Sequence, residues 1–207
     1  MKSPFSTLIA PALVVGMSFS TAFAQDAKFE KLVDLDVKVN TQETPQIAAT
    51  NVKDKRWKPK TWIEIETSVK AKPAKDAKPE NSKTYPELTL KYYVVVTGSS
   101  ADKTKTLTGE VVHSNVPTGE EAHSVVYISP ATLMAITGKP AGGPADITFW
   151  GVEASVAGTV VGRASSTGGK DWWTSPKAPK SQPGLLSKSE TPFSILWGDY
   201  HLDVKGK

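Results

Sequence analysis

Three histidines, six tryptophans and a few closely spaced glutamates are the residues of this 207-residue chain that could do chemistry. His113, His123 and His201 could in principle hold zinc with a carboxylate, or one of them could activate a serine, but none lies in an H-E-x-x-H arrangement. No Gly-x-Ser-x-Gly elbow exists. Gly169-Lys170 has the look of a phosphate loop, yet Asp171 stands where Ser or Thr would be needed and Ala164 where the first Gly would be. Glu64 and Glu66 sit two apart on one strand face, and Glu120-Glu121 falls in a turn. A glycosidase needs its two carboxylates placed across a bond by the fold, which spacing alone does not provide, so both pairs read as solvated. The sequence therefore predicts no catalytic residue, no metal site and no cofactor.

The tryptophans are the less ordinary resource. Trp57, Trp172 and Trp173 fall in segments with the composition of loops, where an aromatic face could stack on a sugar ring or on a partner's side chain. Trp62, Trp150 and Trp197 fall in strand patterns. Basic residues gather in two places. Lys53, Lys55, Arg56, Lys58 and Lys60 surround Trp57, and Lys70, Lys72, Lys75, Lys78 and Lys83 flank Pro73 and Pro79. Such clusters suit an anionic partner, such as acidic glycan, lipid headgroup or envelope polymer, or simply keep a loop solvated. The candidate contact surface is thus Trp172 and Trp173 together with Lys55, Arg56, Trp57 and Lys58.

The segments that must position these side chains alternate with a period of two. Val33, Leu35, Val37 and Val39 alternate with Asp34, Asp36 and Lys38, and a polar passage follows over 40–60. Residues 62–69 form a second strand, 87–97 a central one with Leu88, Leu90, Tyr92, Val94 and Val96 on one face, and 104–113 and 122–128 two more. Ser129-Pro130 opens one short helix, about 130–137, with Leu133, Met134 and Ile136 on its buried stripe and Gly138 past its end. Strands return at 145–154 and 159–164 around an Ala157-Gly158 turn, and at 193–197 and 200–204 after a long proline-rich passage. About seven to nine short strands with no helix between them argue for an all-β, immunoglobulin-like antiparallel β-sandwich.

The first 24 residues read as an export signal: Lys2, an apolar stretch over 8–19, and Ala22-Phe23-Ala24 before Gln25. Residues 25–60 then supply a first strand and a polar segment, which join 61–207 in a single domain. No later stretch is apolar enough to span a membrane. With no cysteine, lipid anchoring through a lipobox and disulfide bracing are both excluded. The formal charge of +4, or +3 once Lys2 leaves with the signal, is mild, and an exported protein is not expected to meet nucleic acid. A periplasmic, secreted or cell-surface protein is expected.

The last third carries a recognisable pattern. Phe149-Trp150-Gly151-Val152-Glu153, residues 158–161, Ala164-Ser165-Ser166, Trp172-Trp173, Gly184-Leu185-Leu186, Lys188, Glu190-Thr191-Pro192-Phe193, Leu196-Trp197 and Asp199-Tyr200 resemble a family of exported immunoglobulin-like proteins of verrucomicrobial bacteria. Members are encoded beside type IV pilus genes and are similar in fold to archaeal pilus and adhesion-filament subunits. The resemblance implies a non-enzymatic protein that works by contact with an envelope, pilus or host-surface protein; a glycan-binding module is the alternative. A filament subunit keeps its apolar N-terminal helix, whereas a cut after Ala24 removes it, so the expected role is that of an associated protein rather than the main pilin.

Overall fold

The computed structural model describes residues 31–48, 50–53, 55–73, 83–168 and 171–206. The expected export signal, Lys75, Lys78 and Gly169-Lys170 lie outside them. Among the described residues nine strands form two sheets, with one short α-helix in a connection between them. The first sheet takes β1 (Val33–Glu43), β2 (Thr61–Ala71), β5 (Glu121–Ile128) and β9 (Leu186–Ser187), in that spatial order. The second takes β7 (Thr159–Ser165), β6 (Ile147–Val156), β3 (Thr84–Val96), β4 (Lys105–Pro117) and β8 (Ser181–Pro183).

Side chains that alternate along a strand sort to opposite faces, and here the apolar set faces inward. Ile63, Ile65 and Val69 of β2 meet Leu88, Leu90, Tyr92, Val94 and Val96 of β3 across one core, and Val126, Ile128, Val152 and Ala154 complete it. The all-β sandwich expected from the period-two pattern is the fold observed. It is not wholly antiparallel, because β8 runs parallel to β4 over three residue pairs. A crossover inside the proline-rich passage brings β8 back to that edge.

A buried polar chain ties the sheets together. The Tyr92 hydroxyl donates to Ser124 Oγ at 3.0 Å, and His113 Nε2 lies 2.7 Å from the same oxygen. His113 Nδ1 meets the Asp203 carbonyl at 3.1 Å. Burial penalises the imidazolium, so the His113 pKa lies below the ordinary 6.5.

Helix α1 (Pro130–Thr137) has the ends its sequence indicates. Ser129 Oγ accepts from the Thr132 amide at 3.1 Å, and Gly138 adopts φ 72°, the left-handed conformation that lets a helix stop. Leu133 and Ile136 are buried, but Met134 is exposed. The expected stripe of three is therefore too wide: the helix packs by a single edge.

The strands expected at 193–197 and 200–204 are not strands. This segment runs as turns and touches the sheets through isolated bridges, His123 to His201 and His113 to Val204. Its alternating composition reflects a different demand, because it crosses the outside of a sheet instead of extending one.

Candidate functional site

The outer face of β2 carries Trp62, Glu64, Glu66 and Ser68, opposite the core-facing Ile63 and Ile65. Across the β2–β5 ladder Glu64 faces Tyr127, Glu66 faces Val125, and Ser68 faces His123. This face is roofed by the C-terminal segment. Phe193 is fully buried, stacked on Tyr127 with ring centroids 4.6 Å apart and meeting the edge of Trp62 at 5.6 Å. Leu202 is then fixed by its amide to the His123 carbonyl at 2.8 Å.

Under this roof Glu64 is buried and Glu66 half-buried, contrary to the solvated reading from sequence. Glu64 is 9% exposed and accepts the Tyr127 hydroxyl at 3.0 Å. Burial raises its carboxyl pKa above the usual value, and burial with the facing Glu64 carboxylate pushes the Tyr127 hydroxyl up. Glu66 accepts the Tyr200 hydroxyl at 3.2 Å and lies 3.9 Å from His123 Nδ1 and 4.0 Å from His201 Nε2. The His123 and Tyr200 rings stack at 4.2 Å.

His201 is 8% exposed, and neither of its ring nitrogens has a hydrogen-bond partner among the described residues. Burial first, then the positive charge of Lys188, lowers its pKa from 6.5 to about 4, so the ring is neutral at pH 7. Lys188 is itself buried, with Nζ donating to the Trp197 carbonyl at 3.1 Å, and burial lowers its pKa. Gln42, Glu64, Glu66, Trp197, Tyr200 and His201 line a cavity of about 310 Å³. Among the described residues no group of three or more His, Asp or Glu side chains is placed to hold a metal ion.

Sequence reasoning named Glu64, Glu66, Trp197, Tyr200 and His201 separately without assembling them, and did not single out Gln42. Two strand-face glutamates and a histidine some 135 positions later carry no joint signal. The one local hint was the density of aromatic residues after 190, which the strand reading absorbed.

The residues chosen from sequence lie elsewhere. Trp173 stacks flat on Tyr93 at 5.1 Å, on the outer face of the second sheet, and Trp172 meets it edge-on. Both are half-buried. Gly151 permits this: a Cβ there would stand 2.2 Å from the Trp173 ring. Arg163 holds the loop with bonds to Glu153 at 2.9 Å and Asp171 at 2.7 Å. Gly151→Ala is therefore expected to displace Trp173, red-shift its emission and cost about 1–3 kcal/mol, the usual range for overpacking. Unchanged acrylamide quenching would show that the ring does not depend on this seat.

Lys55, Arg56, Trp57 and Lys58 occupy the loop between β1 and β2. The loop neck is closed by Thr44 and Lys60 backbone groups at 3.0 Å. Beyond it, Ile47, Val52 and Trp57 are 61%, 64% and 49% exposed, and with Lys53, Lys55 and Arg56 they line an open concavity. Of the second basic cluster, Lys70 pairs with Glu121 and Lys72 with Asp34, each at 2.8 Å.

No helix among the described residues is long and apolar enough to cross a membrane. Comparison with curated proteins gives no match. A crystal structure of a protein from Akkermansia muciniphila, a verrucomicrobial bacterium, superposes with a TM-score of 0.72 at 29% identity, covering 84% of this chain and 93% of that one. One family model matches residues 22–207, the whole described sandwich included, and on that match the chain belongs to the family the model describes.

Proposed function

We propose that this is an exported, non-enzymatic β-sandwich protein that works by surface contact, through the loop between β1 and β2. The observation that carries the reading is the company kept by Trp57. Three large apolar side chains stand exposed around one concavity with the cations Lys53, Lys55 and Arg56, and apolar side chains left in water add little to the stability of the fold. Cations draw an anionic surface in, and an exposed indole and aliphatic side chains then anchor it. The resemblance of the last third of the chain is the ground for a role linked to pili, adhesion or host contact, and the similarity to a verrucomicrobial protein agrees with the bacterial group in which that family occurs.

The triple variant Lys55→Ala, Arg56→Ala, Trp57→Ala tests this reading. Its urea midpoint is expected to stay within about 0.5 kcal/mol of the parent, as for surface changes generally, while binding to sheared pili and to anionic glycan or host-cell surfaces falls. Retained binding in every one of these assays would exclude the loop. Trp57 also supports the second reading, because an indole that is 49% exposed can stack on a sugar ring. Neutral oligosaccharides that quench the parent and not the triple variant would favour that reading over contact with a protein.

A further inference from the structure

The cavity beneath the C-terminal roof is built for a ligand whose chemistry the loop does not share. Its polar lining holds the Glu64 and Glu66 carboxylates, which only accept, beside the Gln42 amide and neutral His201, which can each accept or donate. At its rim the Trp197 and Tyr200 rings are each nearly half exposed, although both belong to a segment otherwise pinned to the sheet. Burying an imidazole with neither nitrogen bonded is costly, and natural proteins rarely leave such a group without a purpose. His201 Nε2 faces Glu66 Oε2 at 4.0 Å, too far for a hydrogen bond, so the carboxylate oxygen leaves the ring unpaired. The nearby cation Lys188 does not pair with the ring either: its Nζ donates to the Trp197 carbonyl and leaves both His201 nitrogens unpartnered.

We propose that this cavity binds a primary ammonium group on a short alkyl or sugar stem. Three N–H donors match the surrounding acceptors, the positive charge answers the Glu66 carboxylate, and the stem lies against the Trp197 and Tyr200 rings, whose faces attract a cation within about 6 Å. A lysine side chain and an amino sugar both present this group. The proposal is independent of the β1–β2 loop.

Isothermal titration calorimetry at pH 7 with n-butylamine, D-glucosamine and D-glucose tests it. At least one of the two amines is expected to bind saturably and D-glucose not. Binding should weaken about tenfold or more in Glu66→Gln, the typical loss when a charge-assisted hydrogen bond becomes neutral. Butylamine alone binding identifies the alkyl stem, and glucosamine alone the sugar stem. Glucose binding as tightly as glucosamine, amine binding unchanged in Glu66→Gln, or no saturable heat with either amine would each overturn the proposal. A shift of the Trp197 indole N–H resonance on amine addition to the parent reads out the same site without any variant, and its absence counts against it.

Discussion

Phe193→Ala is expected to destabilise the protein by about 3–5 kcal/mol, the usual cost of emptying a buried aromatic site. The ring is fully buried and holds two others, stacking on Tyr127 and standing against the edge of Trp62. Together with Val125 and Leu196 they form a small apolar cluster separate from the main core. That cluster is the main apolar attachment of the roof over the first sheet. Its loss exposes Glu64 and Tyr127 to water, which removes the physical cause of their displaced titration. In a domain of this size the melting temperature should fall by roughly 10 °C. A drop below about 1 kcal/mol in urea unfolding would mean that the roof is held by its backbone bridges and not by this ring.

Acid should destabilise the protein well above the ordinary carboxylate range, and His201 sets most of the window. Its pKa is 6.5 in the unfolded chain and about 4 in the folded one. Between those values the unfolded chain binds a proton that the folded chain refuses, so stability falls as pH falls. The contribution is fully present above pH 6.5 and lost by about pH 4, which at 1.36 kcal/mol per unit amounts to about 3 kcal/mol. His113, also kept neutral by burial, acts in the same direction. Glu64 acts in the opposite one: its raised pKa lets the folded protein take up a proton first as pH falls, which offsets part of the loss. Urea unfolding of the parent at several pH values between 7.5 and 4 should show the decline, and His201→Phe should remove most of it. An equally steep decline in His201→Phe would assign the effect to other groups.

The strands of the core were legible because each has to satisfy one buried face, and burial on one face writes a period of two into the sequence. The β3 face from Leu88 to Val96 follows this closely, and the helix was legible from its ends, Ser129 and Gly138, more than from its buried stripe. The roof was not legible for the same reason. Phe193, Leu196 and Leu202 are apolar because they pack on the outside of a sheet or against the core margin, whereas the alternation of Phe193, Ile195 and Trp197 imitates a strand that never forms. The glutamates misled in a complementary way. On a strand with one apolar face, polar residues on the other normally meet water, and nothing local to Glu64 announces that residues more than a hundred positions later will cover it. The tryptophan loops show the limit of composition: Trp57 and Trp172 both fall in polar passages, yet one is exposed and the other is seated on Phe149 and Trp173.

The start of β1 also meets β7, where the Leu32 amide donates to the Val161 carbonyl at 2.9 Å and Gly162 leaves room for the Val33 backbone. This contact joins the free edges of the two sheets along one side of the sandwich. Bringing residues so distant in the chain together carries a large loop-closure cost that is repaid only after both sheets have formed. The seam should therefore close late. The expected kinetic signature is a slow refolding reaction in which a Gly162→Ala change accelerates unfolding far more than it retards folding.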